Sequence, residues 1–168
     1  MIVAGFDRYD LVNTPIADTA TFTVWFAGCT HGCKGCQNKE LWNPDNGEYF
    51  SPQELHDLII KETQKTNIRT VTLLGGEPLQ QDLDELYELC ISLFKSNFNI
   101  WLYTGYDFNH AGQLLHPVME YLHTIKCGKY IEELRLEDGS FPITSNQMVY
   151  SKTGGWKPIN INKEDTNK

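Results

Sequence analysis

Long hydrophobic runs are missing from this 168-residue chain. No apolar stretch approaches the roughly 20 residues that cross a bilayer as a helix. The opening "MIVAGFDRYD" also lacks the basic stretch and apolar run of a secretory leader. Positive charge is scarce: 14 Lys and Arg stand against 22 Asp and Glu, a formal net charge of -8. Binding to phosphate backbones or anionic lipid needs clustered Lys and Arg, so neither nucleic acid nor membrane is an expected partner. Cysteine is sparse and odd in number, five in all. A domain of this length buries roughly 70% of its unfolded surface and needs no disulfides to build a core. A cytoplasmic protein with one domain over residues 1–160 is expected, its cysteines serving metal binding or catalysis. The polar tail 161–168, "INKEDTNK", has no periodicity and reads as disordered.

What is there alternates. "MIVAGF" and "DLVN" suit a short hairpin or edge strands, and "TFTVWFA", Thr21–Ala27, reads as a buried strand. "SPQELHDLIIKETQKT" carries helix signals: Ser51 as N-cap, Pro52 at the first position, Glu54 completing a capping box, and Leu55, Leu58 and Ile59 on one face. "RTVTLLGGEP" is a strand ending in Gly75 and Gly76. A second helix follows Asp82, with Leu83, Leu86, Leu89, Cys90, Leu93 and Phe94 as its apolar stripe. "FNIWLYTGY", a helix over Asp107–Leu115, a strand in "EYLHTIKCGKY" and a last strand in "SNQMVY" complete the pass. Strands alternating with helices predict an α/β fold, a parallel sheet with right-handed crossover helices. The chain is too short for a complete eight-fold barrel of about 250 residues, so an open partial (β/α) barrel is expected. Sites in such sheets form at the carboxyl ends of the strands. The cysteine loop, the "GGEP" turn and the "TGY" turn all fall at that end.

The loop "GCTHGCKGC" sets Cys29, Cys33 and Cys36 within eight residues, with His31 among them. Structural zinc prefers two close pairs of ligands, four in all. His31 is poorly spaced to join its neighbours on one ion, although Cys127 can approach from a distance. A C-x-x-C redox dithiol would leave Cys29 surplus. A [4Fe–4S] cube normally takes four thiolates, so three leave one iron open to a further ligand. Gly28, Gly32 and Gly35 supply the backbone freedom to wrap such a loop. For "GGEP", Gly75 to Pro78, glycine permits close approach of carbonyl groups to a ligand, and Glu77 offers a carboxylate to an ammonium. An ordinary Gly-Pro turn is the alternative.

The spacing C-x-x-x-C-x-x-C, set after a strand of a parallel α/β sheet, resembles the radical S-adenosylmethionine superfamily. The resemblance implies that Cys29, Cys33 and Cys36 hold a [4Fe–4S] cluster and that S-adenosylmethionine chelates the open iron. It further implies that the reduced cluster splits that molecule to methionine and a 5′-deoxyadenosyl radical. It places Gly35, Gln37, Gly75, Gly76, Glu77 and Pro78 at the S-adenosylmethionine site, with Thr104, Gly105 and Cys127 as further candidates. "AGCTHGCKGCQNKELWN", "TLLGGEPL", "IWLYTGY", "CGKYIEEL" and "SNQMV" together resemble the anaerobic ribonucleotide reductase activating proteins. That resemblance implies installation of a glycyl radical on a large anaerobic reductase, with an external reductant such as flavodoxin. Departures from the family pattern are Gln37 in place of an aromatic residue, "VNTPIAD" for "VN-G-P-G", "CGKY" for "DGKY" and "FPITS" for "WRGS". Two other functions stand beside this one: a small-molecule enzyme of the same superfamily, similar to 7-carboxy-7-deazaguanine synthase, and a non-catalytic zinc-stabilised interaction module.

Outside the loop, Cys90 reads as core packing, whereas Cys127 has three readings: packing, radical relay or fourth ligand. His31 reads as a loop histidine bonded to its own turn, or as a group that tunes a cluster or lies near a partner's glycine loop. Lys34 and Lys39 read as solvent-facing, and Trp156 and Lys157 as a terminal anchor or a docking point.

Overall fold

The structure, a computed structural model, describes residues 1–14, 19–137 and 141–159. The expected tail 161–168 lies outside the described residues. The elements run β1 (Ile2–Asp10), β2 (Thr21–Phe26), β3 (Glu48–Tyr49), α1 (Pro52–Thr63), β4 (Thr70–Gly75), α2 (Leu83–Lys95), β5 (Asn99–Thr104), α3 (Phe108–Leu115), β6 (Thr124–Cys127), β7 (Met148–Ser151) and β8 (Lys157–Ile159). Among the described residues they form one open eight-stranded sheet in the order β3-β1-β2-β4-β5-β6-β7-β8. The strands β2, β4, β5 and β6 are parallel neighbours. The flanking pairs β1–β2, β1–β3, β6–β7 and β7–β8 are antiparallel. In place of the expected hairpin or edge strands stands one nine-residue strand, β1, lying between β3 and β2, and β8 extends the sheet beyond "SNQMVY".

Local chemistry sets the crossovers. The Ser51 side chain accepts from Glu54 N–H, and the Glu54 carboxylate accepts from Ser51 N–H at 2.9 Å, completing the expected capping box on α1. At α2 the Asp82 side chain accepts from Glu85 N–H, and at α3 the Asp107 side chain accepts from His110 N–H, each a single cap bond. Each such cap is worth about 1 kcal/mol.

The three helices pack on one face of the parallel strands. Phe22, Val24 and Phe26 of β2, Val71 and Leu73 of β4, Ile100 and Leu102 of β5, and Ile125 and Cys127 of β6 join Leu55, Ile59, Leu86, Leu89 and Leu115 in one core. Cys90 is fully buried there, as expected. Phe94, expected in the α2 stripe, is 38% exposed and meets Tyr121 edge-on instead. Trp156 folds back beside Phe108, its ring centroid 6.1 Å away.

Successive strand residues point to opposite faces, so the other face carries Thr21, Thr23, Trp25, Thr72, Leu74, Trp101, Tyr103, Thr124 and Lys126. Its lower part is closed by the turn after β1. Asp10 is buried and accepts from Val12 N–H, Asn13 N–H, the Asn13 amide and Thr23 Oγ1, all within 2.9 Å. Burial pushes its carboxyl pKa up, but those hydrogen bonds outweigh it and hold the pKa below the ordinary value. The Asn13 carbonyl accepts from Thr72 Oγ1 at 3.2 Å and from Tyr103 OH at 3.1 Å. No helix among the described residues is long and apolar enough to cross a membrane.

Candidate functional site

Above this plug, at the carboxyl ends of β2, β4, β5 and β6, lies a cavity of about 520 Å³. Cys29, Cys33 and Cys36 line it, as do His31, Gln37, Gly75, Gly76, Glu77, Thr104 and Gly105. The three loops singled out from the sequence therefore meet on one space. Gly35 and Pro78 stand behind the lining. Gly35 turns the cysteine loop at φ +73°, and Pro78 is buried at the start of a short helical turn, Pro78–Gln80.

The cysteine loop is held from outside. Gly28 N–H donates to Leu41 O at 2.8 Å, and Cys29 N–H to Trp42 O at 3.1 Å. Thr30 N–H donates to the Gln80 side chain at 2.8 Å. Gly28, Gly32 and Gly35 all adopt the left-handed backbone that the loop reading called for. Gly76 is required by proximity: a Cβ there would lie 2.5 Å from the Gly28 carbonyl oxygen. Its neighbour Glu77 donates its N–H to that same oxygen at 2.9 Å.

The His31 ring bonds across to a different turn, although its backbone N–H bonds Cys29 in its own. Its Nε2 lies 2.8 Å from Glu77 Oε2, and the same oxygen accepts from Gly105 N–H at 2.8 Å. The other oxygen, Oε1, accepts from Leu79 N–H at 3.0 Å. A carboxylate only accepts, so the bond places a proton on His31 Nε2. The His31 ring lies against Gly105, where a Cβ would come within 2.4 Å of Cδ2. Tyr106 meets it edge-on, with ring centroids 4.7 Å apart. One buried carboxylate thus ties the cysteine loop to the β4 and β5 turns. A carboxylate has about four lone-pair sites, and three protein donors already use the Glu77 pair.

The three cysteines are free thiols and half-buried. Burial pushes the Cys29 thiol pKa up, against a smaller opposing hydrogen bond from the His31 backbone. Among the described residues no three His, Cys, Asp or Glu side chains form a group that could hold a metal ion. The donor set is three thiols on a glycine-turned loop open to a cavity, which suits a multi-iron cluster held at its corners. Cys127 is 3% exposed, packs in the core under the helices and does not line the cavity. Burial raises its thiol pKa to about 12. Lys34 is exposed and pairs with Glu132 and Glu133 at 3.4 and 3.2 Å.

The sequence reading missed much of the cavity wall. Trp25, Leu74, Tyr103 and Lys126 come from the helix-free face, and Lys129, Arg135, Phe141 and Ile143 from the segment after β6. The available signal was parity: Trp101, Tyr103 and Lys126 interrupt otherwise aliphatic strands at alternate positions.

A family model described as a 4Fe-4S single cluster domain matches residues 19–150. The anaerobic ribonucleoside-triphosphate reductase-activating protein of Enterobacteria phage T4 is 36% identical over 164 residues, covering 91% of this chain and 98% of the phage protein. The protein of the same name from Escherichia coli (strain K12) is 29% identical over 146 residues, covering 84% of this chain and 92% of its own. Among solved structures, QueE from Escherichia coli aligns with a TM-score of 0.52 at 21% identity. That match covers 62% of this chain and 52% of the QueE chain, about half of it, and concerns the fold.

Proposed function

This chain belongs to the family of anaerobic ribonucleoside-triphosphate reductase-activating proteins, within the 4Fe-4S single cluster domain family, and on that premise we propose that it is a radical S-adenosylmethionine activase. It removes a hydrogen atom from one glycine of a large anaerobic ribonucleotide reductase, leaving a glycyl radical there. The observation that carries this reading is convergence: three cysteines, the Gly75–Glu77 turn and the Thr104–Gly105 turn line one cavity at the carboxyl end of a parallel sheet.

Cys29, Cys33 and Cys36 are the residues to hold a [4Fe–4S] cluster, whose three-thiolate set leaves one iron for S-adenosylmethionine. When bound and reduced by an external donor such as flavodoxin, the cluster supplies the electron that cleaves S-adenosylmethionine. The chain's own residues bind and orient. The thiols must ionise to ligate, so loading releases protons and is favoured by rising pH. Gly75 and Gly76 bring backbone close to the ligand, and the engaged Glu77 carboxylate keeps that turn and the cysteine loop in register. Gln37, beside the third cysteine, presents an amide to the ligand. Trp25, Leu74, Tyr103, Phe141 and Ile143 give the space its apolar walls. Cys127 is assigned to core packing, and residues 1–160 to a single domain.

The test is anaerobic purification with the reductase co-expressed. Brown protein with iron near four per chain, S-adenosylmethionine cleavage under reductant and an EPR doublet on the reductase are expected. Colourless protein with stoichiometric zinc would sink the reading. Turnover of a small heterocycle without any doublet would move it to a small-molecule enzyme of the same superfamily.

A further inference from the structure

The strand β6 separates its side chains sharply. Ile125 and Cys127 enter the core, whereas Lys126 between them lines the cavity. Its ammonium lies 5.2 Å from the centroid of the Tyr103 ring and 5.6 Å from that of Phe141. Aromatic faces attract a cation, but they carry none of the oxygen lone pairs that three ammonium protons seek. The Tyr103 hydroxyl donates its own proton to the Asn13 carbonyl. Glu77, the one carboxylate on the cavity among the described residues, is engaged by His31, Gly105 and Leu79. No described oxygen accepts from Lys126.

An ammonium half-withdrawn from water without an acceptor disfavours folding, and a methionine or leucine would occupy the same aromatic niche without that cost. The arrangement becomes favourable when the molecule filling the cavity carries an oxygen acceptor. We propose that Lys126 is a ligand-binding residue whose ammonium donates to an oxygen acceptor of the bound molecule. Under the function proposed above, on which this assignment of ligands rests, two sources bring such an oxygen: the carboxylate of S-adenosylmethionine, and a backbone carbonyl of the glycine segment offered by the reductase. Burial, which pushes the Lys126 pKa down to about 8, accords with a cation awaiting its partner.

The test compares Lys126→Met and Lys126→Gln with the unaltered chain, each loaded anaerobically with iron and sulfide. Equilibrium affinity for S-adenosylmethionine and for its decarboxylated analogue is measured without turnover, and the KM for the reductase separately. If the carboxylate is the acceptor, both substitutions weaken S-adenosylmethionine binding about tenfold and leave the analogue's affinity unchanged. If the acceptor is a peptide carbonyl, S-adenosylmethionine affinity holds and the KM for the reductase rises about tenfold at unchanged kcat. Either result supports the assignment, and Lys126→Arg recovers most of the loss in each case. Unchanged affinity together with unchanged KM overturns it, as does a large fall in melting temperature for both neutral variants, which would make Lys126 a structural residue. A chain that binds S-adenosylmethionine but activates no reductase refutes the proposed function alone, because the affinity comparison at Lys126 still reads out.

Discussion

The two faces of the four parallel strands are built from the same backbone and serve opposite ends. The face under α1, α2 and α3 is mostly aliphatic and aromatic, with Phe22, Val24, Leu73, Ile100 and Leu102 fully buried. The other face alternates threonine with large aromatics and ends in a lysine. Three of its polar groups are satisfied by a turn from outside the parallel strands: Asp10 and Asn13 take the bonds of Thr23, Thr72 and Tyr103. Parallel sheets are commonly apolar on both faces because helices cover both. Here no helix among the described residues covers one face, and a cavity takes that place. The lesson is a division of labour. Stability comes from the covered face, and the open face carries polar groups that a core would reject.

The sharpest way to break this comparison is to damage each face and read both stability and metal. Cys36→Ala is expected to abolish iron loading almost completely while leaving the far-ultraviolet dichroism and melting temperature of the unloaded protein close to the parent. Collapse of the fold would instead favour a zinc-stabilised module. On the covered face, Leu102→Ala should cost about 2–5 kcal/mol in urea unfolding, with iron per folded chain unchanged. Gly105→Ala lies between these. Its Cβ would press on the His31 ring, costing about 1–3 kcal/mol and loosening the His31–Glu77 tie. Faster loss of iron to a chelator should report that loosening.

Lys126→Met should run opposite to the core substitution and stabilise the free protein. The folded pKa of Lys126, about 8, lies below its ordinary 10.5. Below pH 8 the lysine is charged in both states and the folded protein carries the full desolvation cost. Between about pH 8 and 10.5 the unfolded chain still holds a proton that the folded one has released, so stability rises with pH. The advantage of methionine should therefore be complete at pH 7 and disappear above pH 10.5, as unfolding curves at the two pH values would show. The smallest effect is expected from Thr23→Val, which removes one of the four donors to Asp10 and should cost about 1–2 kcal/mol. A negligible change there would mean that the plug under the cavity contributes little.

Much of the architecture was legible locally. Ser51, Pro52 and Glu54 announce α1 because capping chemistry acts over three residues. Three glycines among three cysteines announce a loop that must turn in left-handed steps. The glycine-ended strands placed the "GGEP" and "TGY" turns beside that loop because parallel strands all end on the same side. Other features were hidden. "MIVAGF" and "DLVN" read as two pieces because Gly5 and a charged run separate them, yet pairing with β2 carries one strand through the charged run to Asp10, with register shifts, and the rest of "DLVN" is a turn. Phe94 fits the α2 stripe by spacing, but Leu93 takes the core position at the end of the helix and Phe94 lies beside it against Tyr121. His31 invites a local partner, and its real one, Glu77, lies 46 residues on.

The sequence by itself determined the donor set, the glycines that let the loop turn, the helix starts and the alternation of strands and helices along the chain, since each depends on chemistry within a few residues. It did not determine which face each strand side chain would occupy, or which loop would meet which. Those were decided by the crossovers. Packing three helices on one face sent Cys127 into the core and left its neighbour Lys126 over the rings of Tyr103 and Phe141. Burial and hydrogen bonding depend on residues brought together across the sheet, and no short stretch of chain contains them.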